Sequence, residues 1–232
     1  MLASKMGNED VVGTLLLAIE ADPYAGGAAG ESALSLALEG GHAGVVRILA
    51  SHPKFTASVF LEGHRCCALL FCCFRQTLPY PAKEACLREL LLCACVTRSA
   101  RAHLLHKLCS HSDTLDPQGK LVDAVLTITV LCPNEGVVLA PDINGTIDNG
   151  LTPIFVAALV KPNKDIVLGL LRSGVHLNQT RVRGLLLMDY FGPESDPEIK
   201  SILCRAGALT ARQAALRSVI SGYGKEGAYP PY

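Results

Sequence analysis

Residues 150–174 decide how this chain is read. They run Gly150-Leu151-Thr152-Pro153-Ile154-Phe155-Val156-Ala157-Ala158-Leu159 and then, after a Pro162-Asn163 break, Lys164-Asp165-Ile166-Val167-Leu168-Gly169-Leu170-Leu171-Arg172-Ser173-Gly174. A second stretch has the same design: Gly30-Glu31-Ser32-Ala33-Leu34-Ser35-Leu36-Ala37-Leu38-Glu39-Gly40-Gly41-His42, followed by Ala43-Gly44-Val45-Val46-Arg47-Ile48-Leu49. In both, a Ser or Thr stands two residues after a glycine, an apolar residue at four and an Ala at seven. Both then carry a Val-Val or Ile-Val pair followed by Ile-Leu or Leu-Leu. The pattern specifies two short amphipathic helices joined by a turn. Ser32 and Thr152 are the expected N-caps, because a hydroxyl oxygen there accepts an N–H that the helix start leaves unpaired. Pro153 sits where no N–H is needed. Ala37 and Ala157 are small enough to let the paired helices approach closely.

The register extends outward from these two units. A step of 33 from Gly30 lands on Gly63, and a step of 34 from Gly150 lands on Gly184. After Gly184, residues 196–208 form a good second helix ending in Ala206-Gly207-Ala208. Upstream, residues 8–22 read as the second helix of a truncated first unit. Gly63 opens a divergent unit, with Cys66 to Arg75 as its first helix, a turn at Leu78-Pro79-Tyr80-Pro81, and Lys83 to Val96 as its second. From Thr97 to Asn149 the chain is about 20 residues longer than one repeat requires. Its expected helices are Ser99 to Cys109 and Gln118 to Cys132, with Pro133 to Ala140 as extra loop. Thr210 to Ser221 is a closing helix.

The two clear units resemble the ankyrin repeat, whose period is about 33 residues. The resemblance implies an all-α fold, an ankyrin-type α-solenoid of stacked helix-turn-helix repeats joined by short hairpin loops. Units are expected near 1–29, 30–62, 63–96, 97–149 (with an insertion), 150–183 and 184–222, making one domain over 1–222 with a flexible tail at 223–232. In such a stack each unit is held chiefly by its neighbours. The resemblance also implies a role: a non-catalytic scaffold that binds a protein partner along a concave face of hairpin tips and first helices. Carried over position by position, the tips lie at Tyr24, at Lys54 and Phe55, at Asn144, Asp148 and Asn149, and at His176, Asn178, Gln179, Arg181 and Arg183. The last five form the strongest candidate contact set.

Composition agrees with packed helices and limits the function. The 232 residues carry 21 Lys plus Arg against 21 Asp plus Glu, a formal net charge of zero. That balance argues against a nucleic-acid binder working by bulk charge, which needs a basic excess, and it gives an anionic membrane nothing to attract. Half the residues are hydrophobic and 18% charged, with no Trp and only 5% aromatic. Leu- and Ala-rich, aromatic-poor chains favour helix over β sandwich. No signal-peptide core precedes Glu9 and Asp10, and the longest uncharged runs (Cys66 to Phe74, Ala124 to Asn134, Asn149 to Val160) fall short of the roughly 20 residues of a membrane span. A monomer in the cytoplasm is expected, with the nucleus left open. There the ten cysteines stay reduced, and the sequons at Asn144 and Asn178 stay unused.

Two clusters invite metal chemistry. Cys66-Cys67 and Cys72-Cys73, near His64, lie in an apolar helical run rather than on the paired turns of a zinc site, so buried packing is the expected role. His103, His106 and Cys109 fall at helical spacing on one face, read as a polar helix surface beside His111; Cys93 and Cys95 remain open as further ligands. No metal and no cofactor is expected. Gly26-Gly27-Ala28-Ala29-Gly30-Glu31-Ser32 has the glycines of a phosphate loop without its Lys, and no hydrolase, metalloprotease or kinase signature occurs, so the chain is not expected to be an enzyme. His42 is expected to orient a turn by hydrogen bonding. The alternatives to a binding scaffold are a metal- or redox-responsive Cys/His protein, and a targeting fragment of a larger enzyme such as a kinase or ubiquitin ligase.

Overall fold

The computed structural model of the protein describes residues 1–18, 31–52, 78–92, 98–128, 130–131, 138–139, 142–146, 150–179 and 182–223. These residues are mostly helical. The chain opens with α1 (Leu2–Lys5) and α2 (Glu9–Ala18), then α3 (Ala33–Gly40) and α4 (Ala43–Ala50). The middle holds α5 (Tyr80–Leu91), α6 (Arg98–Ser110), the single turn α7 (Ser112–Leu115) and α8 (Lys120–Thr127). Last come α9 (Pro153–Phe155), which continues as a π-helical turn over Val156–Val160, α10 (Lys164–Arg172), a 3-10 turn over Leu187–Tyr190, α11 (Pro197–Arg205) and α12 (Ala211–Tyr223).

The helices pack in chain order in two rows. In one row α2 packs on α4, α4 on α5, α5 on α8, α8 on α10 and α10 on α11. In the other, α1 packs on α3, and α6 on α9 and its π turn. One contiguous apolar cluster runs the length of the stack, from Val12 through Leu49, Leu90, Val125 and Leu170 to Leu203. Ala37 and Ala157 are fully buried within it, as close helix approach requires.

The backbone repeats with the packing. Gly7 and Gly41, Gly150 and Gly184, and Gly174 and Gly207 form three pairs, each 33 or 34 residues apart, and all six glycines have positive φ. The caps repeat too. Asn8, Asn163 and Asp196 each accept the N–H three residues on, from Val11, Ile166 and Ile199. The last two caps are 33 residues apart, and His42 lies 34 beyond Asn8. His42 orients its turn by hydrogen bonding, as its position suggests. Its Nε2–H donates to the Lys5 carbonyl at 3.1 Å and ties one helix pair to the one before. Ser32 caps α3 in a reciprocal box with Ser35, at 3.1 and 2.8 Å.

Several details depart from the sequence reading. Thr152 precedes α9 but its hydroxyl accepts no capping bond; the Oγ1 is buried without a hydrogen-bond partner. α5 begins at Tyr80 rather than Lys83, because Pro79 stands at the N-cap and Pro81 in the first turn, where a missing N–H costs nothing. The expected Gln118–Cys132 helix stops at Thr127. Its continuation through Ile128 and Val130 is β-branched, and Val130–Leu131 pairs antiparallel with Val138–Leu139, inside the segment expected to be loop. The first unit is not without a first helix, since α1 supplies one shortened turn against α3. The expected helix at Cys66 to Arg75 and the tail at 224–232 lie outside the described residues.

A buried arginine holds the middle of the stack. Arg101 is fully buried and donates through Nη1 to the Ile128 carbonyl at 3.1 Å and through Nη2 to the Leu91 carbonyl. It thereby satisfies the carbonyl ends of α8 and α5, where the helix dipole favours a cation.

Two glycines separate conformation from crowding. Gly41 has φ +71, and a Cβ there would meet Leu78 Cδ2 at 3.0 Å and Ala82 Cβ at 3.1 Å; Gly207 has φ +88 and open space around it. Gly207→Ala is expected to cost about 1–2 kcal/mol from backbone strain alone. Gly41→Ala is expected to cost more, because α5 must also shift. Urea denaturation of both variants compares them; equal losses would contradict the close approach of α5 to the α3–α4 turn.

Candidate functional site

Of the eleven residues expected at the hairpin tips, Asn144, His176, Asn178, Gln179 and Arg183 are described; Tyr24, Lys54, Phe55, Asp148, Asn149 and Arg181 lie outside the described residues. Asn144 comes from the loop before α9 and the other four from the loop after α10; the structure laces these two loops to each other and to the loop after α11. Asn144 Oδ1 accepts the His176 backbone N–H at 2.7 Å. Asn178 Oδ1 accepts the Leu209 N–H at 2.8 Å, and its Nδ2 donates to the Gly207 carbonyl at 2.9 Å. The asparagines are therefore joints between loops. Their separations, 32 and about 30 residues along the chain, follow the repeat.

His176, Gln179 and Arg183 remain. All three are exposed, and among the described residues their side chains have no hydrogen-bond or ion-pair partner. Arg183 stands on a two-residue hairpin. Val182 and Leu185 exchange backbone hydrogen bonds at 2.9 and 3.0 Å, while Arg183 and Gly184 both have positive φ, +50 and +83. This is the φ pattern of a type I′ turn, which favours glycine or asparagine at the first central position. An arginine there is strained, by about 1–2 kcal/mol. Such outliers persist where the surroundings over-determine them. Here Tyr190 does so: its hydroxyl donates to the Val182 carbonyl at 2.6 Å, and its ring packs edge-on against Phe155, 5.8 Å between centroids.

Sequence reasoning missed this anchor. Asp189 and Tyr190 belong to the 3-10 turn, which stands 34 residues after α9 and replaces the first helix of its unit. Asp189 accepts the Leu186 N–H at 2.8 Å and caps α12 through the Ala211 N–H at 2.9 Å. The spacing from Thr152 to Leu186 was a usable signal, hidden because Leu186 is no cap residue. Electrostatically the loop is one-sided: residues 172–188 contain Arg172, His176, Arg181 and Arg183 and no acidic residue.

The Cys/His cluster on α6 does not form the polar surface expected of it. His103 is exposed, whereas His106 and Cys109 are buried. A step of three on a helix turns about 60° short of a full circle, enough to carry His106 inward among Leu104, Leu105 and Leu108. His106 Nε2 donates to the Gly145 carbonyl at 2.9 Å, leaving Nδ1 buried without a partner. Cys109 is pushed up to about 12 by burial and then by the nearby Asp116 carboxylate, the reverse of a reactive thiol. Asp116 is itself raised by burial, although the N–H groups of Val122, Leu121 and Lys120 oppose the shift. Cys66, Cys67, Cys72, Cys73, Cys93 and Cys95 lie outside the described residues, as does the glycine-rich segment before Glu31. Among the described residues no group of three or more His, Cys, Asp or Glu could hold a metal ion, and no helix is long and apolar enough to cross a membrane.

The chain matches no protein-family model, and no curated protein matches it in sequence.

Burial holds the His106 pKa below its ordinary value, with the Gly145 bond opposing and His103 assisting. The unfolded chain therefore takes up this proton at higher pH than the folded one. Stability from neutral His106 is complete above about pH 6.5 and is lost as pH falls through that value towards the folded pKa. Asp116, raised, has the opposite sign and loses its contribution as pH rises through its folded value. The urea midpoint of the wild type is expected to fall between about pH 7.5 and 5.5, and that of His106→Gln to fall less; equal pH slopes would show that His106 is not the group responsible.

Proposed function

We propose that the chain is a non-catalytic protein-interaction scaffold of ankyrin-repeat type, binding a protein partner through its hairpin loops. Support for the repeat comes from the paired positive-φ glycines, the caps 33 residues apart and the helices packed in chain order. The resemblance of residues 30–49 and 150–174 to ankyrin units agrees with that geometry.

One observation carries the binding role. Arg183 is held exposed on a strained type I′ turn that a glycine or asparagine would occupy at lower cost. The turn is braced from beneath by Tyr190, and the adjoining loops are fastened by Asn144 and Asn178. A surface fixed before docking loses little entropy when the partner arrives. The cationic, acid-free loop 172–188 selects a partner segment rich in carboxylates or other hydrogen-bond acceptors.

The buried, high-pKa Cys109 does not support a redox-responsive thiol at that position. Capture from source-cell lysate tests the scaffold reading. Wild type is compared with a triple variant, His176→Ala, Gln179→Ala and Arg183→Gly, shown to be folded by circular dichroism. A protein retained by the first is expected to be lost, or at least ten-fold depleted, with the second. Equal retention would remove the loop 172–188 from the binding surface.

A further inference from the structure

An asparagine followed by glycine is the least hindered setting for one backbone reaction. The glycine amide nitrogen attacks the asparagine side-chain carbonyl carbon, and no Cβ blocks its approach. Among the described residues Asn144-Gly145 is the one such pair; Asn8, Asn163 and Asn178 precede Glu9, Lys164 and Gln179. Asn144 is half-buried in the loop before α9. Its Oδ1 is bonded, but among the described residues its Nδ2, the group that would leave, has no hydrogen-bond partner.

Both reacting groups are tied down. The Gly145 N–H donates to the Asp142 carbonyl at 3.2 Å, and an amide so engaged gives up its proton to solvent only after local opening. Asn144 Oδ1 accepts the His176 N–H at 2.7 Å, which fixes the side chain on the neighbouring loop. The turn itself is held from two sides. Asp142 Oδ1 accepts the Asn144 N–H at 3.2 Å, and His106 Nε2 reaches in from α6 to donate to the Gly145 carbonyl at 2.9 Å.

We infer that Asn144-Gly145 is a covalent modification site, a deamidation site that the joint between these loops keeps shut and that its opening releases. Once open, the Gly145 nitrogen loses its proton to solvent and bonds to Asn144 Cγ. The Cγ–Nδ2 bond breaks, and Nδ2 leaves as ammonia with a proton from water. Water then opens the five-membered imide. Cleavage of its Cγ–N bond leaves an aspartate at position 144, and cleavage between the backbone carbonyl carbon and N leaves an isoaspartate. Water is consumed, ammonia is released, and nothing is oxidised or reduced. The two products differ in what they do to the joint. Aspartate still offers the His176 N–H an oxygen, now a charged acceptor. Isoaspartate adds a backbone carbon to the turn, which draws the Gly145 carbonyl off His106 and leaves the buried imidazole without its hydrogen bond. Either product places a negative charge against the acid-free loop 172–188. The inference rests on the joint and not on the binding reading; either can fail alone.

Ageing the full chain in mildly alkaline buffer, with peptide mass spectrometry that resolves Asn144 from Asn149, tests it. Deamidation at Asn144 is expected to run at least ten-fold slower in the folded wild type than in the same chain unfolded by urea. His176→Pro removes the N–H that Oδ1 accepts and leaves Asn144-Gly145 intact. It is expected to age several-fold faster than the wild type at Asn144, with an unchanged helical circular dichroism spectrum; Asp142→Ala serves if His176→Pro does not fold. Gln179→Ala, on the same loop but outside the joint, is expected to match the wild type. Equal rates in the folded and unfolded wild type, a joint variant that ages no faster than the wild type, or a Gln179→Ala acceleration equal to that of His176→Pro would each overturn the inference.

Discussion

Everything else in the stack depends on a two-sided burden placed on each outer helix. Each packs on the helix before it and on the helix after it, so its apolar stripe must be wide enough for both. α10 shows the constraint at full strength: it packs on α8 and on α11, and Ile166, Val167 and Leu170 are all fully buried. Each fully buried aliphatic side chain contributes about 1.5–3 kcal/mol relative to exposure. No single helix pair can bury such a stripe alone, so folding is a property of the row. The turns follow from this demand. Helices of eight or nine residues leave little room between them, and the positive-φ glycines reverse the chain within one or two residues where an L side chain would be strained.

Loops then inherit a periodic set of anchors. Asn144 through its Oδ1, and Asn178 through both its Oδ1 and Nδ2, bond the backbone of the next loop and stiffen the loop surface. The exposed ion pairs are of a different kind. Lys161 with Asp113 and Lys164 with Glu198 also join neighbouring units, and Lys161 holds the Asp113 carboxyl below the usual range. Both pairs are open to water, where such contacts contribute little. Register is set by buried stripes and loop amides, with the ion pairs as trimming.

The repeat is legible in the sequence because its signals are local. Ser32, Asn163 and Asp196 declare helix starts, and the Val45-Val46 and Ile166-Val167 pairs declare the stripes, before any tertiary contact is known. What stays hidden is decided at a distance. Thr152 has the right residue type for a cap, yet no backbone N–H reaches its hydroxyl. His106 and Cys109 read as part of a polar helix surface until the packing of α6 on α9 turns them inward. Arg101 reads as an ordinary charged helix residue, and only the meeting of the α5 and α8 termini gives it buried acceptors. The Arg183 turn reads as a polar loop, since its strain lies in φ and not in residue type.

The parts of the row are held by different means. α1 is a single turn, too short to hold its own hydrogen bonds without packing, and it is kept in place by α2 and α3. The loop near Arg183 does not depend on helix packing of that kind. Tyr190 fastens it through the Val182 carbonyl, and Asp189 ties the 3-10 turn beneath it to the start of α12. Its conformation is therefore fixed by side-chain hydrogen bonds to backbone groups, which hold a left-handed Arg183 that helix packing alone would not select.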